Sequence, residues 1–235
     1  MLSSHSRETL KKVSAATLTT VLFKRGFRNV FIQNVFLLNK KAPPMVGEAY
    51  TLRYIPARED LDQLGAFEGR GHPQREAIEA CPPGQVLVMD ARRDATAATG
   101  GDILMTRLMV RGAAGIVTDG GLRDTPTIEK LDFAVYCGAR SAPLNLVRHH
   151  AVDSQVPIGC GGVAVYPGDI VVGDAEGVVV IPAAIADEVA DEAAKQTEFE
   201  DWVEAQVKQG RSIFGLYPPS PQTRAEFEAW RKAKK

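Results

Sequence analysis

The chain has 235 residues, 45% of them hydrophobic and 24% charged, and a formal net charge of −1. Such a chain can bury a full core without staples, and its charge balance favours neither nucleic acid nor a membrane surface as a partner. Its three cysteines, Cys81, Cys137 and Cys160, are odd in number, widely spaced and free of any CxxC pair; this argues against a disulfide framework or structural zinc site and for a reducing cytoplasm.

The first residues carry no charged-then-apolar leader pattern, and no window approaches 18 uninterrupted apolar residues, so neither a signal peptide nor a membrane span is expected. Residues 6–26 read as a helix, with Ser6 as N-cap, Leu10, Val13, Leu18, Val21 and Leu22 at helical spacing, and Gly26 as the stop. Residues 29–38 are β-branched and aromatic and predict a strand, broken by Pro43 and Pro44. A second strand follows at 47–55, then a polar segment at 56–62.

Pro73 opens a short helix over 73–80. Beyond a Pro82-Pro83-Gly84 turn come a strand at 85–90, a helix over 102–111, a strand at 115–119, a helix from Thr125 to about Leu131 with Thr125 as N-cap, and a strand at 134–137. This alternation implies parallel pairing with helices against the sheet. From 163 to 182 short strands are punctuated by Pro167-Gly168-Asp169 and Asp174-Ala175-Glu176-Gly177, which is hairpin chemistry. A long helix over 184–209 and a last amphipathic helix carrying Phe227 and Trp230 complete the chain, whose basic end reads as a solubilising tail.

The chemistry-bearing stretch runs from Gly100 to Asp124. Gly100-Gly101 lets backbone approach a ligand at a helix entry, where unpaired N–H groups and the helix dipole suit a carboxylate. The next strand ends before a loop carrying Arg123 and Asp124. Ligands bind beyond the carboxyl ends of parallel strands, so both loops can face one pocket. Two carboxylates there suit Mg²⁺ or Mn²⁺, which keep several waters, and the Arg123 fork suits an oxyanion.

The chain resembles the RraA-like family, which includes 4-hydroxy-4-methyl-2-oxoglutarate/4-carboxy-4-hydroxy-2-oxoadipate aldolases and oxaloacetate decarboxylases. The resemblance rests on Ser14–Thr17, the GDIL of 101–104, RGAAGIVTDGGLRD at 111–124, Val156–Gly159 and the stretch 165–182. Catalytic members carry an Asp, twenty intervening residues and then Arg-Asp, a spacing that Asp102 and Arg123-Asp124 reproduce.

The resemblance implies a three-layer αββα sandwich of the swivelling type with a helical C-terminal arm, one domain over 1–210 and an extension over 211–235. It implies a divalent-metal-dependent lyase that cleaves a 4-hydroxy-2-oxo acid to pyruvate through a metal-stabilised enolate, with oxaloacetate decarboxylation as a side reaction. In that reading Asp124 ligates Mg²⁺ or Mn²⁺ directly. Asp102 holds metal-bound water, and Arg123 stabilises the enolate. Backbone N–H groups of Gly101, Asp102, Ile103 and Leu104 bind the pyruvyl carboxylate. A glutamate from a neighbouring subunit's C-terminal helix, Glu200 or Glu198, approaches the metal through water in a homotrimer or homohexamer. The alternative is a non-catalytic regulator of ribonuclease activity acting by protein binding.

Other polar residues have plainer readings. His149-His150 beside Asp153 reads as a surface or subunit contact, His72 as a loop residue, Arg53 and Arg58 as solvated charges or subunit salt-bridge partners ahead of a contact to a distal substrate carboxylate, and the cysteines as small buried apolar groups.

Overall fold

The computed structural model describes residues 2–234. Two helices replace the single one predicted over 6–26: α1 (Ser4–Leu10) and α2 (Ala15–Lys24). Capping is the reason. Ser3 and Ser14 both sit in extended conformation and accept the N–H of Ser6 and Thr17, so Ser14 starts a new helix instead of continuing the old one. Gly26, at φ 91, terminates α2 as expected.

The strand predicted over 29–38 also divides, into β1 (Phe31–Ile32) and β2 (Phe36–Leu37). Asn34 between them is left-handed at φ 57, a conformation Asn tolerates better than most residues.

The long β3 (Met45–Pro56) leads through a polar loop to α3 (Pro73–Ala80). Then come β4 (Val86–Asp90), α4 (Asp102–Val110), β5 (Gly115–Thr118), β6 (Gly121–Leu122), α5 (Thr125–Ile128), β7 (Ala134–Cys137) and β8 (Ala139–Arg140). The all-strand region comprises β9 (His149–Ser154), β10 (Ile158–Cys160), β11 (Val163–Val165), β12 (Ile170–Gly173) and β13 (Val178–Ile181). The long α6 (Ala186–Lys208) and α7 (Pro221–Ala233) end the chain.

The main sheet has the order β1-β13-β12-β3-β4-β5-β7-β2, with β9 pairing β3. Strands β3, β4, β5 and β7 are mutually parallel neighbours, as the βαβ alternation predicted, and β12–β13 is the predicted antiparallel hairpin. Because β1 and β2 are joined by a short turn yet pair with β13 and β7 at opposite ends, the sheet curls back on itself.

Three packed cores follow from this curl. Helices α1, α2 and α6 bury Leu18, Leu22, Val189 and Ala193 against one outer face. Helices α3, α4 and α5 bury Ile78, Met105, Leu108 and Ile128 against the other. Between the sheet's halves lie Met45, Val88, Val117, Tyr136, Val171 and Val180. Strands β4, β5, β7, β12 and β13 are covered on both faces, which is why they read as unbroken apolar runs. Each fully buried Val or Leu contributes roughly 1.5–3 kcal/mol of transfer free energy. Helices, curled sheet, helices: this is the expected αββα sandwich. The C-terminal helices pack through Trp202, Val203, Leu216 and Phe227.

Two local expectations are overturned. The N-cap of α5 is Asp124, in left-handed conformation at φ 56, and not Thr125. His149 is fully buried instead of lying at the surface, because β9 pairs with the C-terminal half of β3 and turns His149 into the interior beside the Tyr54 ring. No helix among the described residues is long and apolar enough to cross a membrane.

Candidate active site

The loops that follow β3, β4, β5 and β7 all emerge at the carboxyl edge of the parallel strands, where α/β sheets bind ligands. Two of them are zipped together by backbone. Thr99 N–H donates to the Gly121 carbonyl at 2.8 Å, Gly121 N–H to Ala97 at 3.2 Å and Arg123 N–H to Gly100 at 3.1 Å. Thr99 is fully buried and its hydroxyl reaches Thr118 at 3.1 Å. Its carbonyl accepts from Gln74 Nε2 at 2.6 Å, which ties α3 into the same junction. This zipper sets Gly101, the N-cap of α4, beside Asp124.

The contact is close. A Cβ added at Gly101 would lie 2.6 Å from Asp124 Oδ2 and 3.2 Å from Arg123 Cγ. Gly101 itself is extended, so its lack of a side chain serves space and not conformation. Asp124 is the strained member, a non-glycine residue at positive φ, and such outliers cluster at functional sites. Its carboxylate accepts from Arg123 Nε at 3.2 Å, and both side chains remain about half exposed.

Every residue expected at the site from Gly101 to Leu104, together with Arg123 and Asp124, lines one cleft of about 260 Å³. Asp102 is in the first turn of α4, and its Oδ1 accepts the Ile103 N–H at 2.8 Å. The Leu104 N–H bonds the Gly101 carbonyl at 3.1 Å. Among the described residues, the N–H groups of Gly101 and Asp102 have no acceptor, so they are the donors open to a ligand.

Glu200 and Glu198 are not in the cleft lining. Glu200 accepts from Thr17 Oγ1 at 2.8 Å and Gln196 Nε2 at 2.8 Å, and Glu198 pairs with Arg231 at 2.9 Å.

A second wall was not predicted. The turn at Leu64–Phe67 and α3 contribute Phe67 and Arg75, and the turn after β8 contributes Leu144 and Asn145. Only Pro73 at the start of α3 hinted that this region is ordered; nothing in the local pattern tied it to Asp102. Asp119 was also missed as a structural hub. Its buried carboxylate accepts N–H groups of Ala91, Arg93 and Gly161 at 2.7, 3.1 and 2.9 Å, binding three loops at this edge. Burial raises its pKa above the ordinary carboxylate value, although the three N–H donors oppose that shift.

His72 and His150, read as loop and surface residues, stand near the cleft's outer loop. The His72 ring lies 4.7 Å from Phe67, and His150 Nδ1 is 2.8 Å from Asp62. Arg53 pairs with Asp153 at 2.5 Å and Arg58 with Asp60 at 2.6 Å, as solvated salt-bridge partners should. All three cysteines are buried and free.

An αββα fold with two carboxylates, a guanidinium and an open helix entry at one sheet edge defines a class of protein that comparison with known chains identifies. The RraA-like family profile (Aldolase/RraA) matches residues 15–180, and the chain belongs to that family. It is 38% identical, over 122 residues, to a protein of Halalkalibacterium halodurans named "Putative 4-hydroxy-4-methyl-2-oxoglutarate aldolase". That match takes in 52% of this chain and 57% of the relative, so the chain spans little more than half the relative's length. The fold is similar, with a TM-score of 0.76 and 29% identity, to Streptomyces coelicolor RraAS2, described as an unusual member of the RNase ES inhibitor RraA protein family. That likeness covers 86% of this chain and 97% of the other. An uncharacterized protein from Pseudomonas syringae shares the fold with a TM-score of 0.80 at 22% identity, over 92% of this chain and 94% of that one.

Proposed function

We propose that this protein is a divalent-metal-dependent carbon–carbon lyase that releases pyruvate from a 4-hydroxy-2-oxo acid, with oxaloacetate decarboxylation as a second activity. The observation that carries the reading is the convergence of Asp102, Arg123, Asp124 and the open first turn of α4 on one cleft.

The donor set fits Mg²⁺ or Mn²⁺. Asp102 and Asp124 offer oxygen ligands alone, and no group of three His, Cys, Asp or Glu suited to a metal occurs among the described residues. A hard cation that keeps most of its water needs no more than one or two carboxylates. The empty space at Gly101 leaves Asp124 Oδ2 unobstructed by a side chain. Asp124 would bind directly and Asp102 through water. The bound cation would polarise the 2-oxo carbonyl.

The chain's own groups supply the rest. The Gly101 and Asp102 N–H groups bind the carboxylate of the pyruvyl unit. The Arg123 guanidinium, which lines the same cleft, would stabilise the charge that develops on the 2-oxo oxygen as C3–C4 breaks. Cleavage moves the bonding pair to C3 while the C4 hydroxyl loses its proton and becomes a carbonyl; protonation at C3 then yields pyruvate. Asp102, which lines the same cleft, would pass these protons through water. The relative named as an aldolase supports this reading.

The exposed apolar side chains Ile103 and Val110, one helical face of α4, support assembly of the chain as a homotrimer or homohexamer. A neighbouring subunit would then supply Glu200 or Glu198. Three buried, unpaired cysteines suit the cytoplasm.

The second reading, a ribonuclease regulator without catalysis, is favoured by the description of the Streptomyces coelicolor structure. Pyruvate release separates the two. A screen over 4-hydroxy-2-oxo acids and oxaloacetate, with Mg²⁺ or Mn²⁺ against EDTA, should give metal-stimulated turnover that Asp124→Asn lowers by about 10³-fold or more. Absence of pyruvate from every substrate, with or without metal, would remove the lyase reading.

A further inference from the structure

The Gly101 and Asp102 N–H groups can serve a ligand only if the backbone before them keeps one direction. Gly100 and Gly101 make room at that point but leave the backbone soft. The residue before them is Thr99, and no backbone N–H among the described residues reaches its carbonyl. Two side chains do so instead. Gln74 Nε2 donates to it at 2.6 Å, and the Tyr54 hydroxyl lies 3.4 Å away. Both side chains are buried, and they come from α3 and β3, outside the loop that they hold.

Packing alone would place an aliphatic group at position 74. The inward face of α3 is Gln74, Ala77 and Ile78, at helical spacing, and Gln74 is only 2% exposed. Burying an amide costs stability unless its hydrogen bonds are made, and here the partner is the Thr99 carbonyl. Gln74 also lines the cleft, beside Gly100 and Gly101.

We infer that Gln74 is a positioning residue: through the Thr99 carbonyl it fixes the peptides that lead into α4, so that the Gly101 and Asp102 N–H groups aim into the cleft. It acts through Thr99 and transfers no proton itself. The same bond ties the second wall to the anion-binding end, so a shift of α3 is felt at the first turn of α4. The inference rests on the reading of that end as a carboxylate site.

Titration calorimetry with oxalate, in Mg²⁺, tests it in two variants. Gln74→Leu keeps most of the bulk and removes the donor. Gln74→Glu keeps the shape and donates only while its carboxyl is protonated, which holds at pH about 5.5 and is opposed at pH about 8.5. Each affinity is taken relative to the unsubstituted protein at the same pH, which cancels the titration of other groups at the cleft. All titrations run well below the melting temperature of each variant, so lost stability alone leaves affinity unchanged. Gln74→Leu should bind oxalate at least about tenfold more weakly at both pH values. Gln74→Glu should show that loss at the higher pH and recover to within about threefold at the lower, which a purely structural role does not produce. Affinity within about threefold in Gln74→Leu, or an equal deficit in Gln74→Glu at the two pH values, overturns the positioning role. If Gln74→Leu does not fold, the pH comparison in Gln74→Glu decides alone. If the unsubstituted protein binds no oxalate, the carboxylate-site reading fails and this inference with it; if it binds oxalate and the variants bind as well, the positioning role fails alone.

Discussion

Substituting Gly101 by alanine isolates the geometry of the site from the stability of the fold. The new Cβ would meet Asp124 Oδ2 at 2.6 Å, so the carboxylate must retreat by about 0.8 Å to reach ordinary contact at 3.4 Å. Gly101 is extended, which alanine accepts without strain. Asp124 and Arg123 are about half exposed, so they can swing outward. The lost exposed ion pair costs about 0–1 kcal/mol, and replacing glycine stabilises by about 0.4–1 kcal/mol through the unfolded chain. These offset, so Tm should move by less than about 4 °C. Catalysis depends on placement: a displacement near 1 Å can cost about 10²-fold, or about 2.7 kcal/mol of transition-state stabilisation. The assay is pyruvate release from 4-hydroxy-4-methyl-2-oxoglutarate in Mg²⁺, coupled to lactate dehydrogenase, alongside a thermal melt. Activity within threefold of the unsubstituted protein would refute the argument that Gly101 is reserved for Asp124, as would a loss of activity matched by unfolding.

The remaining predictions concern stability and reactivity. Burial holds His149 below its ordinary value of 6.5, so the unfolded chain binds its proton first on acidification. His149 therefore makes stability fall as pH drops through 6.5, down to the lower folded value; the decline in Tm between pH 7 and 5.5 should be shallower in His149→Asn. Burial raises the thiols of Cys81 to about 11 and Cys137 to about 12, and pushes Cys160 well above its ordinary value. A thiol-reactive chromophore at pH 8 should titrate less than one thiol per native chain and all three after denaturation. Leu108 is fully buried between α4 and the sheet, so Leu108→Ala should destabilise by about 2–5 kcal/mol in urea titration.

The parts of the fold legible in the sequence were those where local chemistry and burial agree. Pro73 at the head of α3, Gly101 and Gly112 bracketing α4, and the apolar runs of β4, β5 and β7 each mark an element that the structure contains. The first-wall residues were legible because two consecutive βα loops must share a sheet edge. Boundaries failed where a side chain overrides periodicity. Ser14 caps a new helix inside an apolar pattern that would run on, and Asp124 takes the α5 N-cap that Thr125 seemed suited for. His149 was misjudged because strand pairing, not its polar neighbours, decides which way it faces. Arg75 and Asn145 escaped because their shared cleft arises only from tertiary packing of α3 and a turn distant in sequence.

The short ribbon from Phe31 to Leu37 works as a clasp. One of its ends docks on β13 and the other on β7, so the two margins of the main sheet are each occupied by the same stretch of chain. Margins only two residues long offer a strand from another molecule little to pair with, which blunts one route to aggregation. There is a kinetic counterpart. Both docking partners lie far downstream, so the clasp cannot fasten until residue 181 has been made, and a nascent chain halted before Val178 would hold Ile32 and its neighbours without their shelter.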